Sequence, residues 1–72
     1  MTHEMQHARI AGPVQYAAGG RTQDLPLGPC LMERVDDRRV DIIWGERGEH
    51  SAEVPIAEIK RAADDGDLLL VD

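Results

Sequence analysis

Few of the residues that can perform chemistry occur in this chain, and none has the spacing of a catalytic set. The single cysteine, Cys30, has no cationic neighbour in sequence that would lower its pKa, and free cysteines are usually buried. We therefore expect Cys30 to be structural. The sequence shows no nucleophile with a partner base, no paired carboxylates in apolar surroundings and no glycine-rich phosphate loop. It predicts a protein that is not an enzyme and has no catalytic residue.

The histidines are too few to indicate a metal site. His3 and His7 have the i, i+4 spacing that would place both imidazoles on one side of a helix. A metal ion usually takes three or four protein ligands, and beyond these two the chain offers only His50 and Cys30 as nitrogen or sulfur ligands. We predict no metal and no cofactor.

Three arginines form the one cationic cluster of the chain. Arg34, Arg38 and Arg39 surround the acidic pair Asp36 and Asp37. A guanidinium group can hold a carboxylate or a phosphate through two hydrogen bonds, so this cluster is a candidate binding site for an anion or an acidic partner. The reading that we favour is a solvated turn in which the arginines pair with nearby aspartates, each pair contributing little.

Tyr16 and Trp44 are the chain's only Phe, Tyr or Trp residues. Trp44 alternates with Val40 and Ile42, which favours a place in the core. Aromatic and arginine side chains are also common in binding hot spots, so Trp44 and Tyr16 remain candidate binding residues beside the arginines. For Tyr16 the two roles are evenly balanced.

The composition is that of a small acidic protein. The chain has 72 residues, 8 basic and 14 acidic, with a net charge of −6. This balance disfavours nucleic-acid binding, because the affinity of such binding comes mainly from lysine and arginine. The start lacks the apolar region of a signal peptide, and no apolar run is long enough for a membrane helix. With one cysteine, we expect a soluble cytoplasmic protein without membrane partners, and the Ala-, Arg-, Gly- and Asp-rich usage suggests a bacterial source.

The amino-terminal half gives weak strand signals. We expect residues 1–7 to be a disordered tail and residues 8–72 to be a single domain. Residues 8–17 alternate roughly but are interrupted by Gly12 and Pro13, which predicts an edge strand or a bent one. Residues 18–24 read as a loop, and the two prolines of residues 25–29 indicate an extended lead-in.

The carboxyl-terminal half is more informative. Strands over 30–35 and 39–44 flank the turn residues 36–38, which predicts a hairpin. A short alternating stretch then leads to Pro55, a residue that often occupies the first position of a helix. The pattern predicts a helix over 55–64, with Ile56, Ile59 and Ala63 forming an apolar stripe, and Gly66 ending it. The apolar run 68–71 predicts a closing strand.

This order of elements, with four or five short strands and a short helix before the last one, resembles the SH3-like small β-barrels, which include Tudor- and KOW-type domains. Many of these also place a helical turn after a step such as Val54-Pro55. The resemblance covers roughly residues 25–71 and is one of pattern, so it implies a fold and no functional residues. We expect a mainly β protein folded as a small SH3-like barrel.

The final strand decides between two arrangements. Its sequence, Leu68-Leu69-Leu70-Val71, does not alternate, so both of its faces should be covered. In the middle of a barrel the fold itself would cover them. At an edge, we expect self-association as a homodimer or docking of another protein, because the core is small.

The sequence thus favours a small non-enzymatic protein-interaction or regulatory module whose partner is a protein, and for which a homodimer is one possibility. The alternative is a nucleic-acid-associated barrel that binds through the turn of Arg34, Arg38 and Arg39.

Overall fold

Antiparallel strands make up most of residues 5–71, the part of the chain that the computed structural model describes. The strands are β1 (Met5–Ile10), β2 (Gln15–Ala18), β3 (Arg21–Asp24), β4 (Gly28–Arg34), β5 (Arg39–Trp44), β6 (His50–Pro55) and β7 (Leu68–Leu70). One helix, α1 (Ile56–Asp65), lies between β6 and β7. The prediction of a mainly β protein with one helix before the last strand is confirmed, although seven strands replace the expected four or five.

The strands form two open sheets. Five of them pair antiparallel in the order β6-β5-β4-β1-β7, and β2 and β3 form a separate hairpin. The prediction of a small SH3-like barrel is therefore wrong in that the sheets stay open and form no closed barrel. β2 lies beside β6 but is not paired with it. The Ile56 N–H donates to the Arg38 carbonyl of the neighbouring strand at 2.8 Å. Because the direction of the backbone groups alternates along a strand, those of Pro55 face the outer edge of β6. A proline there has no N–H with which to bond another strand.

One face of the five-stranded sheet carries the core. Ile42 and Val54 from the sheet and Val14 from the β1–β2 connection are completely buried. Helix α1 covers this face with Ile59 and Ala62. The predicted stripe is thus partly wrong, because Ala63 is exposed while Ala62 is buried and Ile56 is half-buried. The remaining buried residues are Ala8, Ile10, Leu25, Cys30, Val40, Ala52 and Leu68.

The amino-terminal half differs most from the expectation. Gly12 and Pro13 separate two strands, β1 and β2, and β1 lies inside the sheet between β4 and β7 rather than at an edge. Residues 18–24, expected as a loop, contain β3. Residues 5–7 belong to β1 although they were expected in the tail, and residues 1–4 of that predicted tail lie outside the described residues.

The helix begins and ends one residue later than expected, and Gly66 ends it as predicted. Pro55 is its N-cap in an extended conformation, with φ −60 and ψ 143, so α1 starts at Ile56. Gly66 adopts the left-handed conformation, with φ 79. Its N–H donates to the Ala63 carbonyl at 3.3 Å, and the next N–H, that of Asp67, donates to Ala62 at 2.8 Å. These two bonds close the last turn as a Schellman motif and direct the chain into β7.

Arg61 joins the helix to the connections on either side of it. Its Nε and Nη2 donate to the two carboxylate oxygens of Glu58 at 2.8 and 2.9 Å, and its Nη1 reaches Asp65 at 2.8 Å and Asp67 at 3.2 Å. Nη2 also donates to the carbonyl of Pro13 at 2.9 Å. The Arg61 hydrogen bonds lower the pKa of Glu58. The guanidinium thereby holds the β1–β2 connection and the α1–β7 connection against one helix.

Replacing Arg61 by alanine should destabilise the fold. Arg61→Ala removes hydrogen bonds that join three separate segments and leaves Glu58, Asp65 and Asp67 close together without their shared cation. We expect a lower urea midpoint at pH 7, measured by circular dichroism. The side chain of the neighbouring exposed Lys60 has no hydrogen bond or ion pair among residues 5–71, so Lys60→Ala is the matched control. Equal midpoints for the two variants would contradict this role of Arg61.

Candidate functional site

β7 lies at one edge of the five-stranded sheet and pairs only with β1. Leu68 lies opposite Ile10, Leu69 opposite Arg9 and Leu70 opposite Ala8. The Val71 N–H donates to the carbonyl of His7 at 2.9 Å and continues this ladder. The sequence left open whether the last strand is central or at an edge, and the structure places it at an edge.

The backbone of β7 alternates between β1 and the open edge. At the two ends of the ladder, Val71 donates to β1, and Asp67 accepts a 2.8 Å bond from the Ala11 N–H. Because hydrogen-bonded and non-bonded pairs alternate in an antiparallel ladder, the carbonyl of Asp67 and the backbone groups of Leu69 and Val71 face β1. The N–H and C=O groups of Leu68 and Leu70 therefore point away from β1. Leu68 is covered, with only 2% of the residue exposed, so the backbone groups of the 56% exposed Leu70 are the ones available to another strand.

The side chains of β7 are apolar on both faces of the sheet. Leu68 points into the core and is 2% exposed, and Leu70 lies on the same face but is 56% exposed. Leu69 and Val71 lie on the opposite face, and each is 46% exposed. An edge strand usually carries charged residues or proline, which discourage pairing with other chains. Residues 68–71 carry neither.

The other edge of the same sheet is protected. On β6, alternation turns Ser51, Glu53 and Pro55 outward, and these supply a charge and a residue without an N–H. The hairpin formed by β2 lies beside this edge, where the Gln15 N–H donates to the Glu58 carboxylate at 3.1 Å. The two edges therefore differ, and only β7 presents an uncovered apolar strand within the described residues.

The turn between β4 and β5 places the predicted arginine cluster among acidic groups. Asp36 accepts the backbone N–H groups of Arg38 at 2.7 Å and Arg39 at 3.0 Å, and these bonds, with that from the Arg39 side chain, lower its pKa. The Arg39 guanidinium bridges Asp36 at 3.1 Å and Glu53 at 2.7 Å. The turn is thus organised by its own aspartate, as an Asx-type turn.

The other two arginines of the turn, Arg34 and Arg38, differ in their contacts with acidic groups. Arg34 donates to the Asp36 carbonyl at 3.3 Å and lies 3.6 Å from the Asp37 carboxylate. The side chain of Arg38 has no ion pair within residues 5–71. Three arginines face Asp36, Asp37 and Glu53, so the local charge is balanced. The geometry resembles the solvated turn more than a preformed anion site, because two of the three guanidinium groups already have carboxylate partners.

The two candidate aromatic residues come together with a histidine. The ring centroids of Trp44 and Tyr16 are 6.2 Å apart, and His50 stacks on Trp44 at 5.7 Å with an interplanar angle of 20°. Trp44 and Tyr16 are half-buried and pack against the core. Tyr16 and Arg39 line one open cleft of about 440 Å³ beside β6. Of the predicted binding residues, the structure therefore brings Tyr16 together with Trp44 on one side and with Arg39 across the cleft, while Leu68–Val71 lie at the other edge of the sheet.

A row of acidic residues crosses the outer sheet face and was not expected from the sequence. Glu33, Asp41 and Glu53 lie opposite one another on three neighbouring strands. The pKa of Asp41 is raised, first by partial burial and then by the charges of Glu53 and Glu33. The hairpin pattern could have shown that Glu33 and Asp41 pair, but the position of β6 depends on long-range packing.

The chain's one cysteine lies in the core. Cys30 is 7% exposed, and burial raises the pKa of its thiol, which disfavours the reactive thiolate. No group of three or more His, Cys, Asp or Glu side chains between Met5 and Val71 is arranged to hold a metal ion. These observations leave the uncovered edge strand as the feature that most requires an explanation.

Comparison with known proteins assigns no family. No protein-family model, no curated protein and no solved structure matches the chain. Within residues 5–71, no helix is both long and apolar enough to cross a membrane. Any functional proposal therefore depends on the geometry of the edges, the turn and the clefts.

Removing the charge of Asp41 should stabilise the protein at neutral pH. Because the pKa is raised above its ordinary value of 3.8, the ionised carboxylate opposes folding at pH 7, and this effect disappears when the group is protonated in both states. We expect Asp41→Asn to unfold at higher urea than the parent at pH 7 and at the same urea below about pH 3. The control is Asp37→Asn, at a fully exposed side chain. An Asp41→Asn variant less stable at pH 7 would contradict the account.

Proposed function

We propose that this protein is a small non-enzymatic protein-interaction or regulatory module, and that it binds its partner through the open edge of β7. The partner contributes an extended strand that adds to the five-stranded sheet. The single observation that carries the proposal is that β7 is exposed at a sheet edge although its sequence is apolar on both faces.

The backbone of β7 supplies affinity and its side chains supply selectivity. Leu70, which is 56% exposed, directs its N–H and C=O groups outward, so an added strand finds hydrogen-bond partners there without any change in the β1 ladder. Leu69 and Val71 on one face, and Leu70 on the other, favour a strand that is itself apolar on both faces. This proposal rests on the edge geometry and not on the resemblance to SH3-like barrels.

Nucleic-acid binding through the arginine turn has less support. Arg34 and Arg39 already contact Asp36, Asp37 and Glu53, so phosphate contacts would have to replace these ion pairs. Arg38 alone would be left to bind without such replacement. The net charge of −6 opposes a polyanion further.

A photo-crosslinking residue at position 70 tests the proposal. Leu70 has the most exposed side chain of β7, and a benzophenone amino acid there would lie within reach of any strand added to the edge. We expect illumination of the native cells to give protein adducts from position 70. The matched control carries the same residue at Leu27, which is 72% exposed but lies outside the strands. It should give none of these adducts.

Two results would overturn the proposal. The first is an absence of protein adducts from position 70, or the same adducts from position 27. The second is salt-sensitive binding of labelled duplex DNA or single-stranded RNA that Arg38→Ala abolishes, because this would place the binding function at the arginine turn.

A further inference from the structure

Helix α1 leaves one corner of the core face of the five-stranded sheet uncovered. The register places Gln6 and Met32 opposite each other in line with the fully buried Ile42, and it places Arg34 opposite Val40. Cross-strand partners lie on the same face of a sheet, so all of these side chains belong to the core face. Met32 is nevertheless only half-buried, and Gln6 and Arg34 are exposed. The core face therefore ends in an open cleft.

The interior of this cleft is apolar. The cleft lies between α1 and strands β1, β4 and β5 and has a volume of about 250 Å³. Val40 and Ile59, which are 5% and 7% exposed, form its floor, and the half-buried Met32 and Ile56 form its walls. The volume is slightly below the roughly 300–1,000 Å³ of sites that hold drug-sized ligands, so the cleft suits a smaller molecule.

The polar side chains at the rim of the cleft are neutral or cationic. Gln6, Arg34 and Lys60 are exposed and complete the lining, in which no carboxylate of residues 5–71 takes part. The chain as a whole has the opposite balance, with 14 acidic and 8 basic residues. The rim is thus complementary to an anion, and the interior is complementary to an apolar group.

The two cations are available to a ligand. Lys60 has no hydrogen bond or ion pair from its side chain in the described part of the chain, and it follows Ile56 by four residues, on the same side of α1. Arg34 lies 3.6 Å from the Asp37 carboxylate, but these side chains are 55% and 100% exposed. Such an exposed ion pair contributes little, so a ligand anion can replace it.

We propose that this cleft binds a small aliphatic carboxylate. The tail of the ligand lies against Met32, Ile56 and Ile59, and its carboxylate lies at the rim between Arg34 and Lys60. An amine with the same tail would bring a third cation to the rim, and a carboxylate without a tail would leave the apolar interior empty. The lining includes no residue of β7, so the inference goes beyond the proposed function and does not depend on it.

A titration of the isotope-labelled full chain with sodium octanoate, followed by nuclear magnetic resonance, tests the proposal. We expect saturable shifts of the amide signals of Met32, Ile56 and Lys60, with a dissociation constant of about 1 mM or below in about 20 mM NaCl. Octylamine, which has the same tail with the opposite charge, and acetate, which has the charge without the tail, should each bind at least about tenfold more weakly.

Variants of Lys60 separate the role of the rim from general adsorption to the protein. Lys60→Glu reverses the charge at an exposed helix position that a glutamate tolerates, so circular dichroism should remain that of the parent while the dissociation constant rises about tenfold or more. Lys60→Arg retains the charge and should retain binding. The control Arg21→Glu makes the same change in net charge at an exposed residue of β3, outside the cleft, and should leave the dissociation constant within about twofold of the parent.

Three results would overturn this inference. The first is the absence of saturable shifts up to about 10 mM octanoate, or shifts confined to the exposed leucines of β7. The second is equal affinity for octanoate and octylamine, because the rim would then make no contribution. The third is equal weakening by Lys60→Glu and Arg21→Glu. None of these results would change the crosslinks expected from position 70, so the proposed function is tested separately.

Discussion

Asp67 joins three parts of the chain at one point, and the position of β7 depends on it. Its N–H closes the last turn of α1, and its carbonyl accepts bonds from Ala11 at 2.8 Å and Gly12 at 3.2 Å. Its carboxylate binds Arg61, so the helix end, the β1–β2 connection and the start of β7 are fixed together. A Cβ at position 12 would come within 2.1 Å of the Asp67 Oδ1, so any larger residue there would displace this carboxylate. From this point β7 runs along β1, and β1 has β4 on its other side.

An apolar strand therefore lies where a charged one would normally be found. The helix covers the core face as far as Leu68, and the ladder with β1 satisfies the inward backbone groups of β7. Nothing between Met5 and Val71 lies beyond β7 in the sheet. The edge geometry and the apolar sequence both support the proposal that a partner's strand adds there.

Sequence patterns predicted the helix and strands that are determined by residues close together in the chain. The hairpin of β4 and β5 follows from alternation around Asp36, and the end of α1 follows from Gly66, whose left-handed conformation was expected. β3 was missed because its four residues, Arg21 to Asp24, are all exposed and polar, so no apolar period marks them. The closed barrel was wrong because closure depends on how β2 and β6 meet, a contact between distant parts of the chain that no local pattern reports.

In the candidate sites too, contacts between sequence neighbours could be predicted and contacts between distant segments could not. The ion pairs of Arg39 with Asp36 and Arg34 with Asp37 could be anticipated, since these residues are neighbours in sequence. The partner Glu53 could not, because it comes from β6. The sequence also left open whether residues 68–71 are central or at an edge. That choice depends on β1 lying between β4 and β7, an order that only the assembled sheet reveals.

Hydrogen exchange at individual amides of β7 tests the central claim most directly. In dilute solution, where the protein is free of partners, the open edge predicts slow exchange at Leu69 and Val71, whose N–H groups bond β1, and fast exchange at the exposed Leu70. Nuclear magnetic resonance resolves these three amides. Equal protection of all three would show that the edge is covered, and equal lack of protection would show that β7 is not paired with β1. Either result would contradict the account.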